Sequence, residues 1–404
     1  MPFLLLLLVP FGRSAELATA VSIVAVGVLL WRSPGLFLSN GGSRTALLLW
    51  GCFVTAGILS LYAAVNLQRS GDTVLAMLRY LPLAWFTVYA LRQDGAVRKL
   101  FLGIAIVTAL WTLDAWMQAL TGYSIRGHAA ADRLTGIFGA GDPKIGQVLA
   151  VLAPFLLAEL RHRWGRIALI VGALLLFGPI LLSGSRASWV TYGLVLLILL
   201  WRETRRPLQF ATWAGMVGLA AMLAMGLAWQ QSPRFDTRMQ RTLLVLQGNE
   251  QSLNTALSGR LSIWATSLRM FKAHPWTGVG VRGFRYAYPR YAAPGDPFVN
   301  RQTGEGAYYA HQIVLEILSE SGVLGLLSWL LGVAVAWHGW RRAAFKRREL
   351  AWPAGVAVLA VVFPFNTSLA VYSAWWGLIF WWLLAIWLGA LGTPVVAVEH
   401  TDGT

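Results

Sequence analysis

The sequence predicts an all-α polytopic membrane protein of about twelve transmembrane helices, with one large outer loop that itself contains helices. Three observations carry this. Of 404 residues, 57% are hydrophobic and only 12% charged, with a mean hydropathy of +0.60. Segment after segment of about 18 to 22 nearly uncharged residues matches the length needed to cross a hydrocarbon core of ~30 Å. The connections alternate in charge, as the positive-inside rule demands.

Spans are expected near 2–12, 15–32, 45–66, 73–92, 97–119, 144–160, 166–183, 186–201, 208–229, 311–338, 350–370 and 374–393. The opening MPFLLLLLVPFGRSAE lacks a basic leader region and a small-residue cleavage site, so it reads as a short first membrane helix. Five short connections carry dense positive charge: Arg32 with Arg44, RQDGAVRK, RHRWGR, WRETRR and WRRAAFKRRE. All fall on one side if the chain alternates, and they hold 16 of the 33 Lys and Arg. That side, with both termini, is therefore expected to be cytoplasmic. The net charge of +16 is then largely a topology signal, which argues against nucleic acid as a partner. Trp201, Trp337 and Trp340 fit an interfacial belt. Cys52 is the only cysteine, which excludes a disulfide framework and a cysteine metal site.

The organisation is thus helices 1–9 over residues 1–229, a large outer loop over 230–310, helices 10–12 over 311–393 and a polar tail over 394–404. The large loop carries ten basic residues, nine of them arginine, against four acids. Arginine in that proportion favours bidentate recognition of phosphate over plain solubility, and the loop reads as a cationic lid without counter-charge. Within it, SGRLSIWATSLRMFKAHP reads as one helix: Ser258 is placed to cap it, apolar residues recur at helical spacing, and Pro275 follows its end. HPWTGVGVRGF comes next. Gly278, Gly280 and Gly283 permit a tight turn and close backbone approach, with Arg282 and Arg285 beside it to hold an anion. His274 serves the turn.

The stretch YYAHQIVLEILSESGVLG opens an apolar run with ionisable residues. A helix from His311 to His338 would be about 42 Å long, more than the bilayer core, so its first turns stand at the outer interface. His311 shares a face with Gly322, which lets something pack closely beneath it, while Gln312, Glu316 and Glu320 form a neighbouring polar stripe. A helix N-terminus disfavours imidazolium, so His311 would stay neutral and able to accept a proton. On a straight helix Glu320 lies on the opposite side from His311.

Together GRLSIW, HPWTGVGVRGF and HQIVLEILSESGVLG resemble the O-antigen ligase and polymerase superfamily, closest in plan to lipopolysaccharide O-antigen ligases. RLTGIFGAGDPKIG at 133–146 and SGSRASWV at 183–190 fit the same pattern, and Gln312 stands where many members have Asn. The resemblance implies a glycosyltransferase of GT-C-like architecture in a bacterial inner membrane, its large loop periplasmic. It implies transfer of O-antigen from undecaprenyl diphosphate to a sugar hydroxyl of lipid A-core, with inversion. On that likeness His311, Arg260 and Arg186 are the catalytic residues. Arg186, Arg260, Arg282 and Arg285 hold the diphosphate, and Arg133, Lys144, Gln312, Glu316, Glu320 and Gly322 give support.

No cofactor is expected, because arginines supply the charge neutralisation that a divalent metal gives elsewhere. Only Glu16 offers an acid near the first outer turn, and the alternative metal set is His128, Asp132 and Asp142. Two other activities use the same donor class, O-antigen polymerisation and protein O-oligosaccharyl transfer. Outside enzymes, a lipid-diphosphate transporter should show mid-membrane polar residues in both halves; Asp114 is the main isolated acid in a span. A non-enzymatic scaffold would keep the lid without needing His311. The Asn366 sequon is assigned no role.

Overall fold

A computed structural model describes residues 2–128, 133–204, 206–231, 240, 254, 257–366 and 370–392. Its helices are α1 (Pro2–Leu8), α2 (Glu16–Arg32), α3 (Gly41–Ser60), α4 (Leu67–Met77), α5 (Tyr80–Ala90), α6 (Ala96–Thr121) and α7 (Ile145–Leu182). Then follow α8 (Arg186–Thr204), α9 (Pro207–Gln231), α10 (Arg260–Ala273), α11 (Phe284–Tyr291), α12 (Ile313–Arg342), α13 (Phe345–Val362) and α14 (Ala374–Gly392). One small hairpin departs from the all-α expectation, pairing β1 (Tyr123–Ser124) with β2 (Gly127–His128). Asp114, buried on α6, pins its turn by accepting the Ile125 N–H at 2.8 Å. Within the large loop the continuously described part begins at Leu257. Arg234, Arg238, Arg241 and the expected tail lie outside the described residues, as do Asp132 and the last two residues of the sequon.

Among the described residues, seven helical segments are long and apolar enough to cross a membrane. One of them, Ile145–Leu182, spans 38 residues, but Gly165 inside it takes φ 82° and ψ −163°. Beyond that point Gly172 lies so near Leu160 that an added Cβ would stand 2.1 Å from its side chain. On a straight helix the two residues would be ~18 Å apart. The chain therefore reverses at Gly165, giving the two arms expected near 144–160 and 166–183. Elsewhere boundaries shift for a visible reason. The span expected at 45–66 ends at Ser60, because Leu61–Ala63 tightens into a 3-10 turn and Val65 N–H bonds to the Val279 carbonyl at 2.9 Å. The span expected at 73–92 is two pieces, α4 and α5, joined at Leu78–Arg79.

Contacts sort the connections onto two ends of the bundle. At one end Arg161 and Arg166 share Glu203 at 2.9 and 3.2 Å, Arg202 pairs with Glu349, and Arg163 with Glu159. Arg92 reaches the Leu36 carbonyl and Arg347 that of Leu391 at the same end. All five basic connections thus meet there, as alternation requires. At the opposite end the 257–312 segment closes over α3, α8 and α12: Arg186 bonds Ser258, and the Val281 N–H bonds Ser60 Oγ at 3.1 Å.

The core centres on α14, whose Trp376, Trp381, Trp382 and Trp387 are buried. The belt explanation therefore suits Trp201 and Trp337, which are exposed, and not these. Trp340 stacks on Trp387 at 6.1 Å. α1 runs antiparallel along α14, since Trp382 Nε1 donates to the Pro2 carbonyl and Trp375 Nε1 to that of Val9. Lipid gives helices no hydrophobic reason to associate, so close packing must hold them. Gly377 supplies an instance, seating the Tyr80 hydroxyl where a Cβ would be 2.3 Å from it.

Candidate functional site

The site is built on an interrupted helix. At Gly322, φ is 66° and ψ −163°, so α12 does not run straight from His311 to His338 as the sequence predicts. The glycine turn 275–280 takes over the missing bonds. Val279 and Gly280 N–H donate to the Ser319 and Glu320 carbonyls at 2.9 and 3.0 Å. In return Val323 and Leu324 N–H donate to the Pro275 and Trp276 carbonyls at 2.8 and 3.2 Å. The backbones approach so closely that a Cβ on Gly322 would lie 2.3 Å from Trp276 C, and one on Gly278 2.3 Å from Glu320 C. Gly322 does admit close packing, and its neighbour is this turn.

Helix α12 begins at Ile313, with Gln312 as its N-cap, its side-chain oxygen accepting the Leu315 N–H at 2.6 Å. His311 therefore precedes the helix, at φ 54°, and its ring lies 4.0 Å from that of Tyr309. Trp264 Nε1 holds the same segment through the Ala310 carbonyl at 3.1 Å. Among the described residues, three non-glycine residues have positive φ: Ser258, Arg282 and His311. Such conformations cost on the order of 1–3 kcal/mol each and persist where the surroundings over-determine them. All three belong to this site.

Arg186 is the first residue of α8, and its Nη2 donates to Ser258 Oγ at 2.8 Å. This corrects the expected cap: Gly259, at φ 77°, is the N-cap of α10, and Ser258 turns its hydroxyl to Arg186 instead. Arg260 opens α10 beside Arg186. Burial, then the Arg186 charge, hold the Arg260 guanidinium below its ordinary pKa, while Tyr309 acts the other way. Tyr309 is pushed up to about 12, first by burial and then by the Glu316 charge, against the opposing influence of Arg260 and Arg282. It thus stands among Arg260, Arg282 and Glu316, with the His311 ring tilted against it. Residue pattern alone does not mark Tyr309; its only signal is adjacency to His311 in YYAHQ.

Beneath lie Glu316 and Glu320, both fully buried, so the polar stripe faces protein and not the interface. Glu320 Oε2 accepts the Arg282 backbone N–H at 2.7 Å. Glu316 Oε1 sits 3.5 Å from the Tyr372 N–H, and the Tyr372 hydroxyl meets Ser321 Oγ at 2.9 Å. Glu316 Oε2 and Glu320 Oε1 have no hydrogen-bond partner among the described residues.

Other expected residues have contacts of their own. Arg285 bonds the Tyr286 hydroxyl at 2.5 Å and lies 3.6 Å from Glu305, so the lid does have a counter-charge there. Its pKa is raised, chiefly by Tyr286. Lys144 pairs with Asp142 at 2.6 Å and covers the Trp375 ring at 4.2 Å; Arg133 is exposed. Of the alternative metal set, Asp142 is thus ion-paired and His128 lies against Tyr123 at 4.0 Å. Glu16 pairs with Arg79 at 3.1 Å. His274 Nε2 meets the Tyr291 hydroxyl at 2.9 Å, bridging the ends of α10 and α11. The two upstream motifs meet each other: the Leu134 N–H reaches the Leu182 carbonyl at 3.4 Å, and Gly146 abuts Ser183.

Below the site a cavity of about 740 Å³ runs between α3, α8, α12, α13 and α14. Ile313 and Tyr372 line its upper end, Trp201 and Trp352 its lower end, and its walls are almost wholly apolar. A basic, strained anion cradle over an apolar shaft suits an amphiphile with a phosphorylated head.

Residues 171–330 match the family model described as O-Antigen ligase, Wzy_C. No curated protein matches the chain. The matched stretch contains Arg186, Arg260, Arg282, Tyr309, His311 and both buried glutamates, whereas Arg133 and Lys144 precede it.

Proposed function

We propose that this chain, whose residues 171–330 match the O-Antigen ligase family model, joins O-antigen polysaccharide from undecaprenyl diphosphate to a sugar hydroxyl of lipid A-core. The family match supports activity of the O-antigen ligase or polymerase type. The observation that carries the reading is the grouping of Arg186, Arg260 and Arg282 around Tyr309 and His311, above an apolar cavity.

In the reaction, the acceptor hydroxyl oxygen forms a bond to the anomeric carbon as the bond from that carbon to the diphosphate oxygen breaks, with inversion. The leaving electron pair goes to the diphosphate, whose charge the three arginines neutralise without a metal. Preorganised donors of this kind are worth about 3–4 kcal/mol each at a developing charge. His311 takes the hydroxyl proton or orients the hydroxyl, and Tyr309 fixes the ring. Glu320 sets the backbone of Arg282, and the cavity takes part of the lipid chain. The helices form twelve spans in a GT-C-like arrangement in a bacterial inner membrane. The gathering of basic connections at one end supports a cytoplasmic placement for that end and both termini, with a periplasmic site.

The test is reconstitution of purified protein with undecaprenyl-diphosphate glycan and lipid A-core in EDTA, alongside His311→Ala and Arg260→Ala. Joining by wild type, lost in both folded variants, supports the ligase. Chain extension of the donor, or transfer to a protein acceptor, with lipid A-core untouched would replace it with the polymerase or the oligosaccharyltransferase. No turnover with competent substrates would send the assignment to a transporter or a scaffold.

A further inference from the structure

A second cavity, of about 1120 Å³, opens at the opposite end of the bundle, where α6, α7, α8 and α13 meet. Its floor is apolar, with Phe101, Phe155 and Leu169, and its rim is cationic, with Arg98, Lys99, Lys346 and Arg347. The positive-inside rule accounts for basic residues at this end, but not for their convergence on a concave wall. Three of the four lining acids are already committed: Glu159 to Arg163, Glu203 to Arg161 and Arg166, and Glu349 to Arg202. No carboxylate pairs with the four rim cations among the described residues, which leaves Asp94 as the remaining acid in the wall. Arg347 also buries its Nε with no hydrogen-bond partner among the described residues, although its Nη1 reaches the Leu391 carbonyl. A buried charged donor calls for an acceptor.

We infer that this cavity binds an anionic phospholipid of the surrounding membrane, its phosphate on Arg98, Lys99, Lys346 and Arg347 and its acyl chains against Phe101 and Leu169. Basic pockets between transmembrane helices recognise such head groups. The apolar floor favours a lipid over a soluble phosphate, which would leave that surface wet. The site is remote from the Arg260 cluster and does not depend on the reaction proposed for it.

The experiment offers delipidated full-length protein mixed micelles of phosphatidylglycerol, cardiolipin and phosphatidylethanolamine, with bound lipid counted by native mass spectrometry. The expected result is selective retention of the anionic lipids, falling roughly tenfold in Arg98→Gln/Lys99→Gln/Lys346→Gln, given the attraction of each basic residue to an anionic surface. These three side chains are exposed, so the variant should keep its fold, which a thermal melt checks. A matched variant, Arg341→Gln/Arg342→Gln, removes charge outside the cavity and should retain lipid as wild type does. Equal retention of phosphatidylethanolamine, or equal loss in the matched variant, overturns the site. Full displacement of lipid by inorganic pyrophosphate would make it a site for a soluble anion and overturn the lipid assignment.

Discussion

Glu320 accepts the backbone N–H of Arg282 at 2.7 Å, so a carboxylate in the interrupted part of α12 sets the backbone of a basic residue in the loop above it. Arg282 sits there at φ 58°, a conformation that needs outside support. The same two segments exchange four backbone bonds, which makes the turn and the helix break one unit.

Glu320→Ala should therefore act through Arg282. It leaves a buried N–H unpaired, at about 1–3 kcal/mol, and frees the loop that carries the guanidinium. Turnover is expected to fall by about ten- to a hundredfold. Glu320→Gln keeps an acceptor and should recover most of it. Parallel melting curves and glycan-joining rates check this; equal loss in both variants would mean that the charge, and not the bond, is what matters.

Gly322→Ala should be more damaging than its size suggests. Its backbone, at φ 66° and ψ −163°, lies in a region essentially open to glycine alone and costs about 1–3 kcal/mol for an L-residue, and the new methyl would collide with Trp276 backbone. Gly278→Ala meets Glu320 backbone in the same way. Each is expected to lower the melting temperature in detergent, while Gly295→Ala, with open space around it despite its positive φ, should cost less.

Periodicity and charge make much of the fold legible. Gly165 sits inside RHRWGR between two apolar runs, so two antiparallel arms follow from sequence. The break at Gly322 does not, because SESGVLG is compatible with a continuous helix until the 275–280 turn supplies alternative partners. The arginines and His311 are legible as residue types in family-like motifs. Tyr309 is not, since its surroundings come from residues 260, 282 and 316, which only the fold brings together. Ser258 looks like a helix cap by spacing and becomes an arginine partner because Gly259 takes the cap position.

Tyr309 gives a prediction in pH. Its folded pKa of about 12 lies above the ordinary tyrosine value of 10.0, so the folded state holds the proton more tightly. The resulting stabilisation is complete below pH 10 and is lost as pH rises toward 12. Tyr309→Phe should flatten the fall in melting temperature over that window, and remove a late step from the ultraviolet titration of phenolates. A Tyr309 that ionises with the exposed tyrosines would contradict its burial.

The arginines can be ranked by their surroundings. Arg260 is largely buried beside Arg186, and burial and that like charge both disfavour its charged form, which a bound anion would offset. Arg285 is more exposed and lies against Glu305 and Tyr286. Arg186→Ala and Arg260→Ala are thus expected to lower turnover by about 10²–10³, the usual loss for one donor at a developing charge. Lysine should not restore it, because an ammonium lacks the planar fork that grips two phosphate oxygens. Arg285→Ala should stay within about tenfold of wild type, as removing it mainly leaves the partly exposed Glu305 without its partner. Steady-state rates at saturating donor check the ranking. If Arg285→Ala lost as much as Arg260→Ala, the diphosphate would have to sit nearer α11 than the Arg186, Arg260 and Arg282 grouping implies.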